Sequence, residues 1–337
     1  MISEKDVRLS IVDIFGDLIH QGADGLTDDG AFLNLTQQHV LAISTDSFVS
    51  DIDFKPFWGT RYQAGQRAIK QNLSDLAAMG ASPLGFTWSL ELDTLWMKDV
   101  TAFSDFCKGA AATCREHGLM LLGGDLGSRN SGFGCHITII GETKKPGLKR
   151  TNAHVGESLW ISGQLGESHL GLRLIQDADN SNPFVTDEMF RNWTKTLTSI
   201  EQHQVQRHLN GHEEIKLGRK LTNIASSCID ISDGFALDLN RLCQASGVSA
   251  TINGHTLRGK LDLDKPAEKD ALLYGGENFV LLFTVPQQKE KDIEALCTQG
   301  FTLEKIGTIT PQSEPLLLNY RGQSKELRPK GWDAFSE

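Results

Sequence analysis

The run Cys228-Ile-Asp-Ile-Ser-Asp-Gly-Phe-Ala-Leu-Asp238 leaves the backbone few choices. Ile229 and Ile231 alternate with Asp230 and Ser232, as at the end of a strand. Asp233-Gly234 then breaks the alternation, and Phe235, Leu237, Leu239 and Leu242 take up a helical spacing. Two carboxylates and a hydroxyl therefore meet at a strand-to-helix junction. Such a junction holds oxygen ligands on a rigid element with their tips near the solvent-facing end of a sheet, within reach of a hard cation or a phosphate. The same residue types cap helices and close Asx turns, so this stretch by itself leaves both roles open.

Other acids repeat the placement. Asp24, Asp28 and Asp29 lie in a glycine-containing loop after the amphipathic helix expected over residues 7–19. The next apolar pieces, Ala31 to Leu35 and Val40 to Asp46, resemble a hairpin, and the second ends in Ser44, Thr45 and Asp46. A helix expected from Arg61 to Ala81 sets Asn72 and Asp75 one turn apart among small residues, so Asp75 needs a partner there. The short apolar strand Leu119 to Leu122 empties into Gly123-Gly-Asp125, a glycine loop whose amides could approach an anion. Tyr274-Gly-Gly-Glu277 puts one more carboxylate ahead of a strand at Val280 to Val285. Residues 177–193 read as polar and exposed, and Trp332 as either a stacking residue or a cover for the core edge.

With 337 residues the chain is long enough for two cores, and the basic segment from Lys144 to Lys149 marks a boundary between residues 1–147 and 148–337. A net charge of -10 argues against broad nucleic-acid binding. The six cysteines form no CxxC pair, so zinc and redox motifs are not expected. The first residues do not resemble a secretion signal, and no run approaches the roughly 20 apolar residues of a membrane span. A cytoplasmic protein, free of membrane and nucleic acid, is the expectation.

Neither a Walker loop nor a GxGxxG turn occurs. Several carboxylates converging without cations would repel one another, and an all-oxygen set favours magnesium over zinc. Magnesium on many aspartates, with glycine turns and a few basic residues such as Arg129 and Arg150, fits phosphoryl transfer from a nucleotide. Hydrolysis of a phosphate ester, a calcium-stabilised binding protein or an α/β domain with capped helices remain open on these residues alone.

Taken together and in order, the stretches Asp28-Asp29-Gly-Ala, Ile43-Ser-Thr-Asp46, Asn72 to Gly80, Leu122-Gly-Gly-Asp125, Asp230 to Gly234, Gly275-Gly-Glu277 and Gly331-Trp332 resemble the thiamine-monophosphate kinase family, within the aminoimidazole-ribonucleotide synthetase-like superfamily. The resemblance implies an α/β, more strictly α+β, two-domain fold with mixed sheets flanked by helices, and a homodimer built through the first sheet. It also implies several Mg2+ ions between ATP and a small phosphorylated substrate. By the same resemblance Asp28, Ser44, Thr45, Asp46, Asp75, Asp125, Asp230 and Asp233 carry metal. Of these, Asp28, Asp46, Asp75, Asp125 and Asp230 form the catalytic set. Gly124, Asp125, Arg150 and Ser232 touch the nucleotide, and Glu277 and Trp332 border the substrate. The implied chemistry is direct attack of a substrate phosphate oxygen on the γ-phosphorus of ATP.

Thr27 stands where the family has Gly before Asp28-Asp29, and Leu126-Gly127 where it has Thr-Thr after Asp125, but the metal-binding carboxylates survive and the substrate-side groups change. Asp53 stands in a segment where the family usually has a histidine that helps hold the substrate, and Gly-Gly-Glu-Asp-Tyr-Glu becomes Gly275-Gly-Glu-Asn-Phe-Val280. An anion at residue 53 would oppose a phosphomonoester. Alternatives are therefore a paralogue using the same ATP and magnesium site on another acceptor, or a catalytically silent nucleotide-binding protein.

Overall fold

The computed structural model describes residues 4–19, 38–257 and 261–332. Its first half opens on α1 (Glu4–Phe15), β1 (His39–Val49), α2 (Arg61–Ala78) and β2 (Ser82–Leu92). It continues through α3 (Thr94–Lys98), α4 (Val100–His117), β3 (Met120–Ser128) and β4 (Phe133–Lys144). The four strands form one sheet in the order β1-β4-β2-β3, antiparallel except for the β2–β3 pair. Among the described residues, helices cover one face of this sheet. Along β1 the side chains of Ala42 and Phe48 are buried beneath them while Leu41 and Ile43 stand out at 37% and 55% exposure, the period of two expected of a half-covered sheet.

The second half carries β5 (Ser158–Ser162), α5 (Glu167–Ser181), α6 (Asp187–Thr194), α7 (Ser199–Asn210), α8 (Ile215–Leu221) and β6 (Ser227–Asp230). Then follow α9 (Phe235–Ser246), β7 (Val248–Asn253), α10 (Gly254–Leu257), α11 (Pro266–Tyr274) and β8 (Leu281–Val285). The chain closes with α12 (Glu290–Thr298), β9 (Leu303–Pro311), β10 (Leu317–Tyr320) and β11 (Gln323–Glu326). Seven strands make a mixed sheet in the order β11-β10-β7-β9-β5-β8-β6. Strands β5 and β8 are buried along their length inside the sheet, and the edge strand β6 is buried as well, its Cys228 in the core shared with α2 and α8.

Helix α2 starts on a capping box: the Gln63 amide donates to Thr60 Oγ1 at 3.1 Å, and the Thr60 amide donates to Gln63 Oε1 at 3.0 Å. It ends at Gly80, whose φ of +66° suits a residue without Cβ. Two close crossings hold it. A Cβ on Gly65 would lie 2.0 Å from the Phe106 carbonyl of α4, and one on Gly218 of α8 would lie 2.1 Å from the Ala77 carbonyl. The second crossing welds the halves together: Leu73, Leu76 and Ala77 share one apolar core with Ile215, Leu217, Leu221, Cys228 and Phe283. Gly218→Ala must push these helices apart, so it is expected to lower stability by about 1–3 kcal/mol, seen as a lower urea midpoint. An unchanged midpoint would contradict the contact.

Two expectations change here. The glycines after Leu122 do not form a loop; β3 runs through them to Ser128 in register with β2. Residues 177–193 are not uniformly exposed either. Phe184 and Phe190 are buried with Ile175, Val205 and Leu209, against Phe57 and Trp58, and Asp179 Oδ2 accepts from Lys55 Nζ at 3.0 Å. The polar letters of that segment hide an aromatic anchor, Phe184 in the connection before α6 and Phe190 on it.

Candidate active site

Alternation along β1 selects the donors. Ser44 and Asp46 share the helix-covered face with Ala42 and Phe48, and Asp46 is in register with buried Ile137. Helix α2 lies above them, its Gln71 Nε2 donating to the Ser47 carbonyl at 3.1 Å. Adjacent residues of α2 then reach in opposite directions. The Asp75 carboxylate accepts from the Ser44 hydroxyl of the first sheet. The Ser74 hydroxyl donates to Asp230 Oδ2 at the end of β6 in the second sheet, at 2.7 Å. The helix thus brings Asp46, Asp75 and Asp230 to one seam.

These acids resist ionisation. Burial and the charges of Asp230, Asp53 and Asp233 push Asp46 up to about 6. Burial and Asp46 push Asp75 up to about 6, against the Ser44 hydroxyl and the Arg150 charge. Burial and Asp75 push Asp230 up to about 7, although the Ser74 hydroxyl and Arg150 favour its anion. A buried acid with its pKa raised destabilises the fold when ionised. The sign is thus fixed: the contribution is harmless below the unfolded value of 3.8 and grows as pH rises through 6 to 7. Without divalent cations the protein is therefore expected to gain on the order of a few kcal/mol between pH 7 and pH 5, and added magnesium to abolish the slope. Melting scans across that range check it; a flat or rising profile without metal would refute the repulsion.

Hard oxygen donors that are buried and mutually repelling suit a divalent cation. No set of three or more His, Cys, Asp or Glu side chains among the described residues is placed to share one ion. One or two carboxylates completed by substrate phosphates and water is the usual magnesium arrangement, so the Asp46, Asp75, Asp230 and Ser44 oxygens fit that ion.

A second cluster sits beside the first. Glu277 forms an ion pair with Arg67 of α2, and its Oε2 stands 2.9 Å from His208 Nδ1 of α7. Arg67 Nη1 lies 3.3 Å from His208 Nε2, so a neutral ring with its proton on Nδ1 serves both neighbours. Burial and Arg67 lower the His208 pKa, in keeping with that neutral form. Burial alone would raise Glu277; Arg67 and His208 instead hold it down at about 2. Asp53 Oδ2 accepts from the Val49 amide at 2.6 Å; burial raises its pKa while that amide and the Arg67 charge pull it back.

The remaining expected residues divide. Arg150 is exposed, and its charge acts on both Asp75 and Asp230. The Ser232 carbonyl accepts from the Glu277 amide at 2.6 Å, joining the two clusters. Asp233 is ion-paired with Arg241, while its carbonyl accepts from the Trp332 amide at 2.8 Å. The Trp332 ring is 56% exposed, so it does not cover the core. Thr45 points to the open sheet face and meets Thr138 Oγ1 at 2.9 Å. Asp125 is exposed in register with Ser89 and, through it, His136 and Ser47; this row lies on the face opposite Asp46, because side chains alternate along a strand. The structure does not bring Thr45 and Asp125 to the seam within this chain. Gly124 packs against β2, where a Cβ would lie 2.3 Å from the Trp88 carbonyl. Asp28 falls outside the described residues.

Arg67 and His208 escaped the sequence reading. Arg67 precedes Ser74 by two helical turns on one face, which was a usable signal. Helix α7 announces itself only by the Thr198–Glu201 capping box. Clefts of about 450 Å³, bordered by Arg207 and Phe301, and about 700 Å³, bordered by Ile200 and Lys265, lie on the second half; neither contains the converging acids, so chemistry rather than concavity locates the site.

Comparison with known proteins identifies the family and the fold. Residues 27–143 match the N-terminal domain of AIR synthase related proteins, and residues 191–316 match the C-terminal domain. A thiamine-monophosphate kinase of Salmonella typhimurium is 31% identical over 332 residues, covering 93% of this chain and 92% of that protein. The crystal structure of a thiamine-monophosphate kinase from Stenotrophomonas maltophilia superposes with a TM-score of 0.73 at 26% identity, over 95% of each chain. The complex of AaThiL with AMPPCP and TMP superposes with a TM-score of 0.73 at 25% identity, over 99% of this chain and 97% of that one.

Proposed function

The chain belongs to the thiamine-monophosphate kinase family of AIR synthase related proteins, and from that membership we propose that it transfers the γ-phosphoryl group of ATP to thiamine monophosphate, yielding thiamine diphosphate and ADP. The observation that carries this reading is the meeting of Asp46 and Asp75 with Asp230 beside the Arg67–Glu277–His208 cluster. One group of oxygens suits cations on a polyphosphate. The other is an ion-paired, hydrogen-bonded group next to it, whose Arg67 guanidinium is the one cation proposed to face the acceptor.

Magnesium is the proposed metal, as several ions distributed over Asp46, Asp75, Asp230 and Ser44 with no more than two of these carboxylates on any one ion. When bound it would neutralise charge on the phosphates and on the transferring group. Asp28, Thr45, Asp125 and Asp233 stay in the proposed set on the family resemblance alone. Arg150 and Ser232 flank the nucleotide in this proposal, and Glu277, Asp53 and Trp332 flank the acceptor. Arg67 lies between Glu277 and Asp53, so its charge is oriented and partly offset before substrate arrives. An acceptor phosphate is already an anion near neutrality and needs no strong base. The residues must hold two charged groups in line and exclude water between them.

A boundary near residue 147, a homodimer through the open face of the first sheet, and a cytoplasmic setting complete the proposal. The exposed Leu41 and Ile43 support the dimer, and the free cysteines support a reducing compartment. Thiamine diphosphate formation from thiamine monophosphate, ATP and magnesium tests the activity. Its absence at high enzyme concentration would defeat the named acceptor.

A further inference from the structure

One turn joins the two clusters. Residues Gly275 to Phe279 cross Ile231-Ser232: the Glu277 amide donates to the Ser232 carbonyl at 2.6 Å and the Phe279 amide to the Ile231 carbonyl at 2.8 Å. Glu277 and Phe279 hold φ of +59° and +51°, in the left-handed region that side-chain-bearing residues rarely enter. Such a bend persists only where its surroundings over-determine it. Asn278, between them, is 1% exposed with both ends of its amide bonded. Its Oδ1 accepts from the Gly166 amide at 2.8 Å and its Nδ2 donates to the Gly275 carbonyl at 2.7 Å. Its own carbonyl accepts from Arg207 Nη2 at 2.9 Å. Arg207 directly precedes His208, one of the two partners of Glu277.

We infer that Arg207 and Asn278 are positioning residues for the acceptor half of the site, clamping this turn so that the Glu277 carboxylate meets Arg67 and His208 at a fixed distance from Asp230. The amide chemistry accounts for the residue type, since Asn can accept from Gly166 and donate to Gly275 where a carboxylate could only accept. In sequence Asn278 reads as an altered substrate contact; in the fold it faces inward and acts through its neighbour. Helix α7 carries both a clamp and a partner of the clamped group, so the two move together.

The kinetic test rests on the proposed phosphoryl transfer. Asn278→Ala and Arg207→Met are each expected to raise KM for thiamine monophosphate about tenfold while KM for ATP stays within about twofold, the scale of one lost hydrogen bond at the acceptor. Arg207→Lys should recover part of the loss, and it carries the test if Asn278→Ala does not fold. In a Glu277→Gln background Asn278→Ala should add nothing, because its effect passes through that carboxylate. Equal rises in both KM values, or additive losses in the double variant, would overturn the inference. A readout without turnover separates it from the proposed activity: the His208 imidazole 15N resonances should shift in Asn278→Ala and in Arg207→Met. If the wild type makes no thiamine diphosphate but those signals shift, the clamp stands and the named acceptor falls; unshifted signals overturn the clamp.

Discussion

Asp230→Asn is expected to lower turnover by about three orders of magnitude or more, while making the metal-free protein more stable. The two effects share one cause. Asp230 is buried, its carboxyl is pushed up to about 7 by burial and by Asp75, and Ser74 donates to it at 2.7 Å. An amide of the same shape keeps that acceptor and removes the repulsion, which should stabilise the apo fold by about 1–2 kcal/mol. It also removes an anionic oxygen from a set proposed to hold a cation against phosphate. Paired measurements of rate and of melting temperature, with and without magnesium, separate these parts. A variant that unfolds, or that turns over normally, would return Asp230 to a purely structural role as the partner of Ser74.

The second large effect is structural first. Arg67→Met leaves the Glu277 carboxylate beside a neutral imidazole, with no cation in contact. Removing one partner of a buried ion pair typically costs about 3–5 kcal/mol, and the 29% exposure of the Glu277 side chain points to the lower end, about 3 kcal/mol. Adding Glu277→Gln should restore much of that loss, because no buried charge then remains unpaired. Urea unfolding of the two single variants and the double variant closes the cycle. A loss below about 1 kcal/mol for Arg67→Met would mean that solvent screens the pair.

What the sequence made legible follows from local patterning. Asp230 ends an apolar strand, Asp46 lies within β1, which runs three residues further than expected to Val49, and Asp75 sits among small residues of a helix, so periods of two and 3.6 were enough to put each on an element. Their convergence was not local. It depends on Gly218 seating α8 against Ala77 and on two neighbouring residues, Ser74 and Asp75, turning to different sheets. Asp125 shows the reverse failure. Glycine on both sides suggested a loop, whereas close packing on Trp88 makes glycine a requirement of the strand itself, and register then turns the carboxylate outward. Phe184 and Phe190 were hidden by polar neighbours because one lies before α6 and the other on it, so no single period links them. Arg67 and His208 lie on separate helices, and nothing short of the packed fold pairs them with Glu277.

Helix α2 carries Arg67 and Asp75 eight residues apart, so the rise of an α-helix sets them about 12 Å apart along its axis. That spacing works as a ruler. The guanidinium proposed to face the acceptor and the Asp75 oxygens proposed for the nucleotide's cations are rungs of one rigid rod, and in that proposal the separation between donor and acceptor is written into the chain as a count of residues. Inserting a single residue between Ile69 and Leu73 would lengthen the rod by only about 1.5 Å but rotate one end by about 100°, so Arg67 and Asp75 would no longer face the same seam.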